Sequence, residues 1–290
     1  MGNFITSLRN LTRFHADSVD YYNNLGTDVV GFGGENKAGW MSFGWWEKAE
    51  YYYDACREEA ERFAAEGRFD TAQTLLDVGC GCGEQDFFWK KKFPSLQIVA
   101  SDITPMQIDI ARKRAEKERA DIDFSVCDAC SLPYPDNTFD RVSALDCAFH
   151  FNTRGKFLRE AFRVLKPGGL LILTDMLPAE GEEWNRKDQM EGRQGLYFPE
   201  ANVWTYSRYR RELEAAGFSD IRSREAGHIV YKGFVRYWLA RFFHPNRPIE
   251  KVRLRFNRKK WPNIYVRLFG HMYGTSEYRV IRAQKPEAAV

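Results

Sequence analysis

The chain has 290 residues, of which 44% are hydrophobic and 29% are charged, proportions that are ordinary for a soluble protein. This length suffices for one domain with insertions. No run of about 18 apolar residues is present, which argues against a membrane-spanning helix. Residues 1–13 lack the apolar stretch of a secretory signal, and we therefore expect a cytoplasmic protein.

The charge is distributed unevenly along the chain. Residues 228–290 hold 14 Lys and Arg against 3 Asp and Glu, a net charge of +11, whereas the remaining residues hold 29 against 37, a net charge of −8. A basic C-terminal quarter on an acidic body suggests a surface that meets anions.

Six cysteines are present, and four of them form the close pairs Cys80-x-Cys82 and Cys127-x-x-Cys130. A structural zinc site would need a Cys-x-x-Cys unit in both halves. We therefore predict no metal site, and interpret the cysteines as buried free thiols of a reducing compartment.

The predicted elements divide the chain into four parts. Residues 1–70 form an aromatic-rich N-terminal cap that ends in a helix over 47–65, and residues 71–227 form a core of alternating strands and helices. Residues 228–275 form a basic, aromatic cap insertion, and 276–290 hold the last strand and a tail. Predicted strands cover 74–80, 96–102, 122–127, 139–145, 170–176, 221–224 and 276–284, and predicted core helices cover 84–92, 105–120, 155–165 and 206–216.

This alternation predicts an α/β fold: a Rossmann-like, seven-stranded, mostly parallel sheet with helices on both faces. Pro167-Gly168-Gly169 is predicted to end the third core helix, with a glycine at its C-cap. An α-helical and aromatic cap is expected over the mouth of the sheet.

The first predicted strand runs directly into a glycine-rich turn, Leu75-Leu76-Asp77-Val78-Gly79-Cys80-Gly81-Cys82-Gly83. The glycines let the backbone bend and approach a ligand closely. The spacing is not the Gly-x-Gly-x-x-Gly of nicotinamide-dependent oxidoreductases, because Gly83 comes one residue early. Two other functional classes remain as alternatives: a nicotinamide-dependent oxidoreductase and a non-catalytic nucleotide-binding protein.

Carboxylates follow the next three strands. In an open parallel sheet, ligands bind beyond the carboxyl ends of the strands. Asp102 could accept both hydroxyls of a ribose or cap the following helix, and Asp128 could hold the exocyclic amine of a base. After the fourth strand, His150 is the candidate general base, or a histidine with no catalytic role. Asp146 is a second catalytic candidate, or a partner of a cofactor amino group.

In residues 70–227 the chain resembles the class I S-adenosylmethionine-dependent methyltransferases. The motifs that carry the resemblance are Leu75 to Gly83, Asp102 with Thr104-Pro105-Met106-Gln107, Asp128 with Leu132-Pro133, Asn137-Thr138-Phe139-Asp140-Arg141-Val142, and Arg163-Val164-Leu165-Lys166-Pro167-Gly168-Gly169. Their order along the chain is more specific than any one of them.

The resemblance implies S-adenosylmethionine as the cofactor and assigns roles to individual residues. Gly79 and Gly81 would lie against its methionine part, Asp102 would bind the ribose, Asp128 would lie by the adenine, and Met106 would pack on the adenine face. The full set of predicted cofactor-binding residues is Asp77, Gly79, Cys80, Gly81, Asp102, Ile103, Met106, Gln107, Asp128, Ala129 and Asp146.

The segment Trp40-Met41-Ser42-Phe43-Gly44-Trp45-Trp46-Glu47 is similar to an aromatic segment of one methyltransferase branch, which includes ubiquinone, tocopherol, sterol and macrolide methyltransferases. This similarity implies a hydrophobic small-molecule acceptor: a terpenoid, polyketide, quinone or lipid-like compound. Methylation at oxygen is preferred, with carbon and nitrogen as alternatives. Candidate pocket residues are Tyr21, Tyr22, Trp45, Trp46, Tyr197 and Phe198.

Two further sequence features bear on partners. No Asp/Asn-Pro-Pro-Tyr/Phe tetrapeptide follows the fourth strand, and no RNA-binding module is recognisable, so we expect no nucleic-acid partner. Tyr231, Phe234, Tyr237, Trp238, Phe242 and Phe243 form an aromatic stripe at helical spacing, and eight Lys and Arg fall in residues 241–260. Residues 228–261 could therefore bind an anionic membrane surface as a peripheral protein, or form a lid over the active site. The oligomeric state is not predicted.

Overall fold

The computed structural model describes residues 39–182, 198–243 and 275–287. Its strands are β1 (Thr74–Val78), β2 (Gln97–Asp102), β3 (Ile122–Val126), β4 (Phe139–Ala144), β5 (Leu165–Pro178), β6 (Ser219–Glu225) and β7 (Ser276–Gln284). Its α-helices are α1 (Tyr52–Glu66), α2 (Glu84–Lys92), α3 (Pro105–Glu118), α4 (Arg154–Val164), α5 (Tyr206–Ala215) and α6 (Gly227–Phe243).

The seven strands form one sheet in the order β3-β2-β1-β4-β5-β7-β6. Strands β1 to β5 pair in parallel, and β7 pairs antiparallel with both β5 and β6. The predicted Rossmann-like sheet is thereby confirmed. Its strand order reverses at β1, which pairs with β2 on one side and with β4 on the other. A crevice opens at such a reversal beyond the carboxyl ends of the strands.

The hydrophobic core lies on both faces of the sheet. Consecutive residues of β1 point to opposite faces, so Leu75 joins the cluster that contains Phe63 and Trp89, and Leu76 joins the one that contains Phe157 and Leu213. Because helices cover both faces, β1 reads as a continuous apolar run rather than an alternating one.

Two predicted helix ends differ from the structure. Helix α1 begins at Tyr52 rather than at residue 47, because the preceding residues follow a bent path in which Gly44 has a φ of +80° and the Trp45 amide donates to the Ala55 carbonyl at 2.8 Å. Helix α4 ends at Val164 and continues directly into β5. Gly168, with a φ of +77°, therefore serves an irregularity in the β4–β5 pairing and is not a helix C-cap.

The aromatic stripe of α6 packs inward against the N-terminal segment. The rings of Tyr52 and Tyr237 stack with centroids 4.5 Å apart, and Phe234 meets Phe43 edge-on at 4.8 Å. Tyr231 is 1% exposed. Three aromatic residues of the stripe therefore contribute to packing within the protein, and binding of residues 228–261 to an anionic membrane surface stays a prediction.

The basic residues of 244–261 lie outside the described part of the chain. Within the described ranges, no helix combines the length and apolarity that a bilayer crossing requires.

A buried ion pair fastens α4 to β5. Arg154 and Asp175 are both fully buried, and the guanidinium donates to both carboxylate oxygens at 2.8 and 2.6 Å. Arg154 also donates to the Met176 carbonyl at 2.8 Å. Its backbone amide donates to the Asn202 side chain, which in turn donates to the Phe149 carbonyl at 3.1 Å. The pair therefore also fixes the turn that precedes α4.

We expect Arg154→Met to lower the free energy of unfolding by about 3–5 kcal/mol, because the substitution leaves the Asp175 carboxylate buried without its counter-charge. Arg210→Met is the control, since it removes an exposed pair with Glu214 and should cost about 0–1 kcal/mol. Urea unfolding followed by circular dichroism measures both. Equal losses in the two variants would contradict the role given to the buried pair.

Candidate active site

A cavity of about 350 Å³ opens at the carboxyl ends of the strands around the reversal point. Its volume lies within the range of small-molecule sites, roughly 300–1,000 Å³. The described residues that line it are Gly39, Met41, Ser42, Val78, Gly79, Cys80, Gln85, Asp102, Ile103, Gln107, Cys127, Asp128, Ala129, Leu145, Asp146, Cys147, His150, Phe151, Asn152 and Lys156. Nine of the predicted site residues are among them.

The glycine-rich turn after β1 forms one wall. Gly79 has a φ of +76° and Gly81 a φ of +58°, a backbone conformation that side chains with a Cβ disfavour. A Cβ on Gly79 would lie 2.6 Å from the Cys147 Sγ, and one on Gly81 would lie 2.1 Å from the Met41 Cε. The positive φ therefore favours glycine at both positions, and the close approach of the Cys147 side chain adds a steric reason at Gly79.

Asp102 stands at the end of β2, beside the glycine turn. Its carboxylate accepts the backbone amide of Gly81 at 3.0 Å and that of Thr104 at 2.8 Å. These amides precede the first turn of α3, so the carboxylate does not cap that helix. Burial raises the pKa of Asp102, although hydrogen bonds to these amides oppose the rise. Asp102 lines the cavity and presents an anionic acceptor there when ionised.

Asp77 lies beneath the cavity rather than in its lining. It is fully buried and accepts hydrogen bonds from the Ser143 hydroxyl and, at 2.9 Å, from the Gln85 amide. Burial raises the pKa of Asp77 to about 7. Gln85, which the sequence analysis did not select, lines the cavity in its place. Asp77 thus orients Gln85.

Residues after β3 and on α3 also line the cavity. Asp128 and Ala129 both line it, and the Asp128 carboxylate accepts the Cys130 amide at 2.8 Å. Gln107 lines it from α3. Met106 is half-buried and lies outside the lining, so the structure does not bring it to the cavity with Gln107.

Asp146 follows β4 in a left-handed conformation, with a φ of +55°, and three donors surround its carboxylate. The Phe43 amide donates to Oδ2 at 2.7 Å, and the hydroxyls of Thr174 and Tyr278 donate to Oδ1 at 2.8 and 2.5 Å. Burial raises the pKa of Asp146 to about 6, against the opposing effect of these donors.

His150 ends a short turn, Ala148–His150, and is 4% exposed. It lines the same cavity as Asp146, together with Asn152 and Lys156. The structure thus brings both predicted catalytic candidates to the lining of one cavity, and their roles stay a prediction. Lys156 was missed, because a lysine in the first turn of an amphipathic helix gives no signal that separates it from a solvent-exposed one.

The predicted pocket aromatics lie elsewhere. Trp45 is buried between the guanidinium groups of Arg62 and Arg224, whose centres are 5.0 and 4.7 Å from its ring. Trp46 donates to the Phe43 carbonyl at 2.8 Å and packs against Tyr237. These residues do not line the cavity, because cation–ring contacts hold the first and the α6 aromatics hold the second.

Phe198 is stacked on Phe149 with centroids 5.9 Å apart and is likewise outside the lining. Tyr21, Tyr22 and Tyr197 lie outside the described residues. The N-terminal segment does reach the cavity, but through Gly39, Met41 and Ser42.

The six cysteines are free thiols: Cys130 is half-buried and the other five are buried. Burial raises the pKa of the Cys147 thiol, which lines the cavity, well above its usual value. A thiol held in its neutral form is a poor nucleophile. The geometry thus gives these cysteines a packing role.

The buried Asp77 makes the free energy of unfolding depend on pH. An unfolded aspartate titrates near a pKa of about 3.9 and the folded one at about 7, so between these values the folded state holds a proton that the unfolded chain has lost. The contribution of Asp77 therefore destabilises the fold as the pH rises from about 4 to about 7, by up to about 1.4 kcal/mol per pH unit.

We expect Asp77→Asn to flatten this dependence, because asparagine does not titrate. Urea unfolding at a series of pH values between about 4 and 8 measures it. Asp109→Asn, on the exposed face of α3, is the control and should keep the wild-type slope. An unchanged slope in Asp77→Asn would show that other carboxyl groups carry the dependence.

Comparisons of the sequence with known proteins identify methyltransferases as its relatives. The family described as "Methyltransferase domain" matches residues 76–173. The chain is 33% identical over 211 residues to the erythromycin 3''-O-methyltransferase of Saccharopolyspora erythraea, and the match covers 70% of this chain and 69% of that protein.

Two solved structures share the fold. A structure described as a putative sarcosine dimethylglycine methyltransferase from Galdieria sulphuraria superposes with a TM-score of 0.72 at 19% identity, covering 93% of this chain and 99% of that one. The [4+2]-cyclase SpnF superposes with a TM-score of 0.68 at 21% identity, covering 94% and 98%.

The family assignment replaces the alternatives of a nicotinamide-dependent oxidoreductase and of a non-catalytic nucleotide-binding protein. The chain belongs to the class I S-adenosylmethionine-dependent methyltransferases and is a small-molecule methyltransferase with S-adenosylmethionine as its cofactor.

Proposed function

We propose that the enzyme methylates a hydroxyl group of a hydrophobic small molecule. The observation that carries this proposal is that His150 and Asp146 line the same cavity as Gly79, Asp102 and Asp128. Potential proton acceptors and potential cofactor contacts therefore share one space. The similarity to the erythromycin 3''-O-methyltransferase supports oxygen as the acceptor atom.

The residues at the reversal point fit the proposed cofactor. The glycine turn offers a wall without side chains, where a Cβ on Gly79 would meet Cys147. Asp102 supplies an acceptor-only carboxylate for ribose hydroxyls. Asp128 and Ala129 also line the cavity and would contact the adenine base. We propose that the cofactor is held by Gly79, Asp102, Asp128 and Ala129, with Gln85 and Gln107.

Bound S-adenosylmethionine supplies an activated methyl group, so the protein has to orient the acceptor and exclude water. Orientation alone can contribute roughly 7–11 kcal/mol. The N-terminal segment serves both needs, because Met41 packs over Gly81 and, with Ser42, encloses part of the cavity. A general base adds roughly 10²–10⁴-fold where the acceptor loses a proton.

His150 is the better placed base of the two candidates. The carboxylate of Asp146 already accepts three hydrogen bonds, and each of them must weaken before it can take a proton from an acceptor. We therefore assign proton acceptance to His150 and a fixed anionic role to Asp146. Leu145 and Phe151 add apolar surface beside them, which suits a hydrophobic acceptor.

We expect His150→Gln to lower kcat for transfer to a hydroxyl acceptor by roughly 10²–10⁴-fold, while the Kd of S-adenosylhomocysteine stays within about twofold of the wild-type value. His228→Gln on the exposed part of α6 is the control and should change neither. Transfer of labelled methyl to a panel of macrolides, quinols and small amines measures kcat. An unchanged kcat with a hydroxyl acceptor would remove His150 as the base.

The cofactor assignment is tested by calorimetry with S-adenosylhomocysteine on Gly79→Ala and Gly181→Ala. Both glycines have a positive φ, +76° and +84°, so both variants carry a conformational cost of roughly 1–2 kcal/mol. Gly79 meets Cys147 beside the cavity, whereas nothing lies within 4 Å of a Cβ on Gly181.

We expect Gly79→Ala alone to weaken S-adenosylhomocysteine binding, by about tenfold or more. NAD serves as the competing ligand and should not bind the wild-type protein. Binding of NAD without S-adenosylhomocysteine binding would overturn the proposal. Equal affinities in the two glycine variants would move the cofactor away from this turn.

A further inference from the structure

One tyrosine hydroxyl lies between two buried carboxyl groups. Tyr278 on β7 is fully buried, and its hydroxyl oxygen is 2.6 Å from the Glu59 Oε1 and 2.5 Å from the Asp146 Oδ1. A tyrosine hydroxyl has one hydrogen to donate. Only one of these short contacts can use it, so the other requires a proton on the carboxyl group.

The remaining donors show which carboxyl group holds that proton. Asp146 also accepts from the Phe43 amide at 2.7 Å and from the Thr174 hydroxyl at 2.8 Å. The Asp146 amide itself donates to the Thr174 oxygen, which leaves the threonine hydrogen for the carboxylate. Asp146 thus has a complete set of donors for an ionised group.

Within hydrogen-bond distance in the described residues, Glu59 has one donor besides Tyr278: the Gly44 amide donates to Oε2 at 2.8 Å, and Oε1 lies 2.6 Å from the Tyr278 hydroxyl oxygen. Burial, reinforced by the charge of Asp146, raises the pKa of Glu59 well above its usual value. Against this rise, the Ser42 side chain acts to lower the pKa of Glu59. Arg62 and Arg224 line a small cavity with Glu59, but both guanidinium groups lie over the Trp45 ring.

The network holds two successive amides of the N-terminal strap, which we define as residues 39–46. Asp146 binds the Phe43 amide and Glu59 binds the Gly44 amide. The same strap carries Met41, whose Sδ is 3.6 Å from the Gln107 amide nitrogen and whose Cε lies over Gly81. Holding residues 43 and 44 in place therefore also positions Met41 against the glycine turn.

We propose that Glu59 and Tyr278 are positioning residues for methyl transfer: Glu59, as a neutral acid, donates to Tyr278, which donates to the Asp146 carboxylate, and together they hold the strap against the cofactor cavity. This inference rests on the proposed function for its catalytic consequence. The proton arrangement and the hold on the strap are properties of the protein alone.

The arrangement predicts that replacing a carboxyl group by an amide has a small effect at Glu59 and a large one at Asp146. In Glu59→Gln, the amide nitrogen donates to Tyr278 and the oxygen still accepts from Gly44. In Asp146→Asn, one carboxylate oxygen becomes a donor and faces another donor. Tyr278→Phe removes the bridge and leaves two carboxyl groups facing an apolar ring edge.

The first experiment compares KM for S-adenosylmethionine and the Kd of S-adenosylhomocysteine in Glu59→Gln, Glu59→Ala, Tyr278→Phe and Tyr231→Phe. We expect Glu59→Gln to stay within about twofold of wild type, and Glu59→Ala and Tyr278→Phe to weaken both quantities by about tenfold. Tyr231→Phe is the control, since this buried tyrosine packs on the Tyr278 ring and donates to the Glu277 carbonyl. A Glu59→Gln variant as impaired as Glu59→Ala would overturn the neutral state of Glu59.

Two further measurements do not depend on methyl transfer. The infrared difference between wild type and Glu59→Gln at neutral pH should contain the carbonyl band of a carboxylic acid, and a carboxylate band in its place would overturn the proposal.

Hydrogen exchange of the peptide that contains residues 43 and 44 should speed up in Tyr278→Phe but not in Glu59→Gln, and equal exchange in all variants would overturn the proposed contact of the network with the strap. If wild type failed to bind S-adenosylhomocysteine, the proposed function would fall while these two measurements still judged the network.

Discussion

The pairing of β1 with β2 on one side and β4 on the other is the constraint on which the rest of the structure depends. Parallel strands need a crossover connection: α2 connects β1 to β2 on one side, and after β3 the chain returns past β1 and pairs as β4 on its other side. Turns after three neighbouring strands consequently meet at one edge without filling it. The cavity, with Gly79, Asp102 and Asp146 around it, is what this reversal leaves open.

The carboxyl groups at this edge are held at a cost. Burial raises the pKa of Asp77, Asp102 and Asp146, so the protein keeps acidic groups where water would stabilise their charge better. Backbone amides offset part of this cost for Asp102 and Asp146. The same amides belong to the glycine turn and the strap, and each hydrogen bond therefore fixes a wall of the cavity as well as a carboxylate.

Local patterns explain why some of this was predictable. The seven strands, the glycine turn and the carboxylates at strand ends follow from apolar runs and from residues close in sequence. Other contacts join distant positions: Tyr278 meets Glu59 across 219 residues and Asp146 across 132, and no periodicity marks such pairs. Aromatic composition misled for Trp45, because a ring that suits a pocket suits equally well a site between two arginines.

Helix α6 is connected to the cavity through its packing against the strap. Tyr237 on α6 stacks on Tyr52, and the Tyr52 hydroxyl lies within hydrogen-bond distance of the carbonyls of Trp40 and Ser42, at 3.1 and 2.8 Å. A displacement of α6 would therefore reach the strap through Tyr52, and also directly through the contacts of Phe234 with Phe43 and of Tyr237 with Trp46. Since interiors are closely packed and transmit strain, residues on α6 that contact no ligand can still alter how tightly the cofactor is enclosed. Substitutions on α6 would thus act on the enclosure of the cavity as well as on the packing of the helix itself.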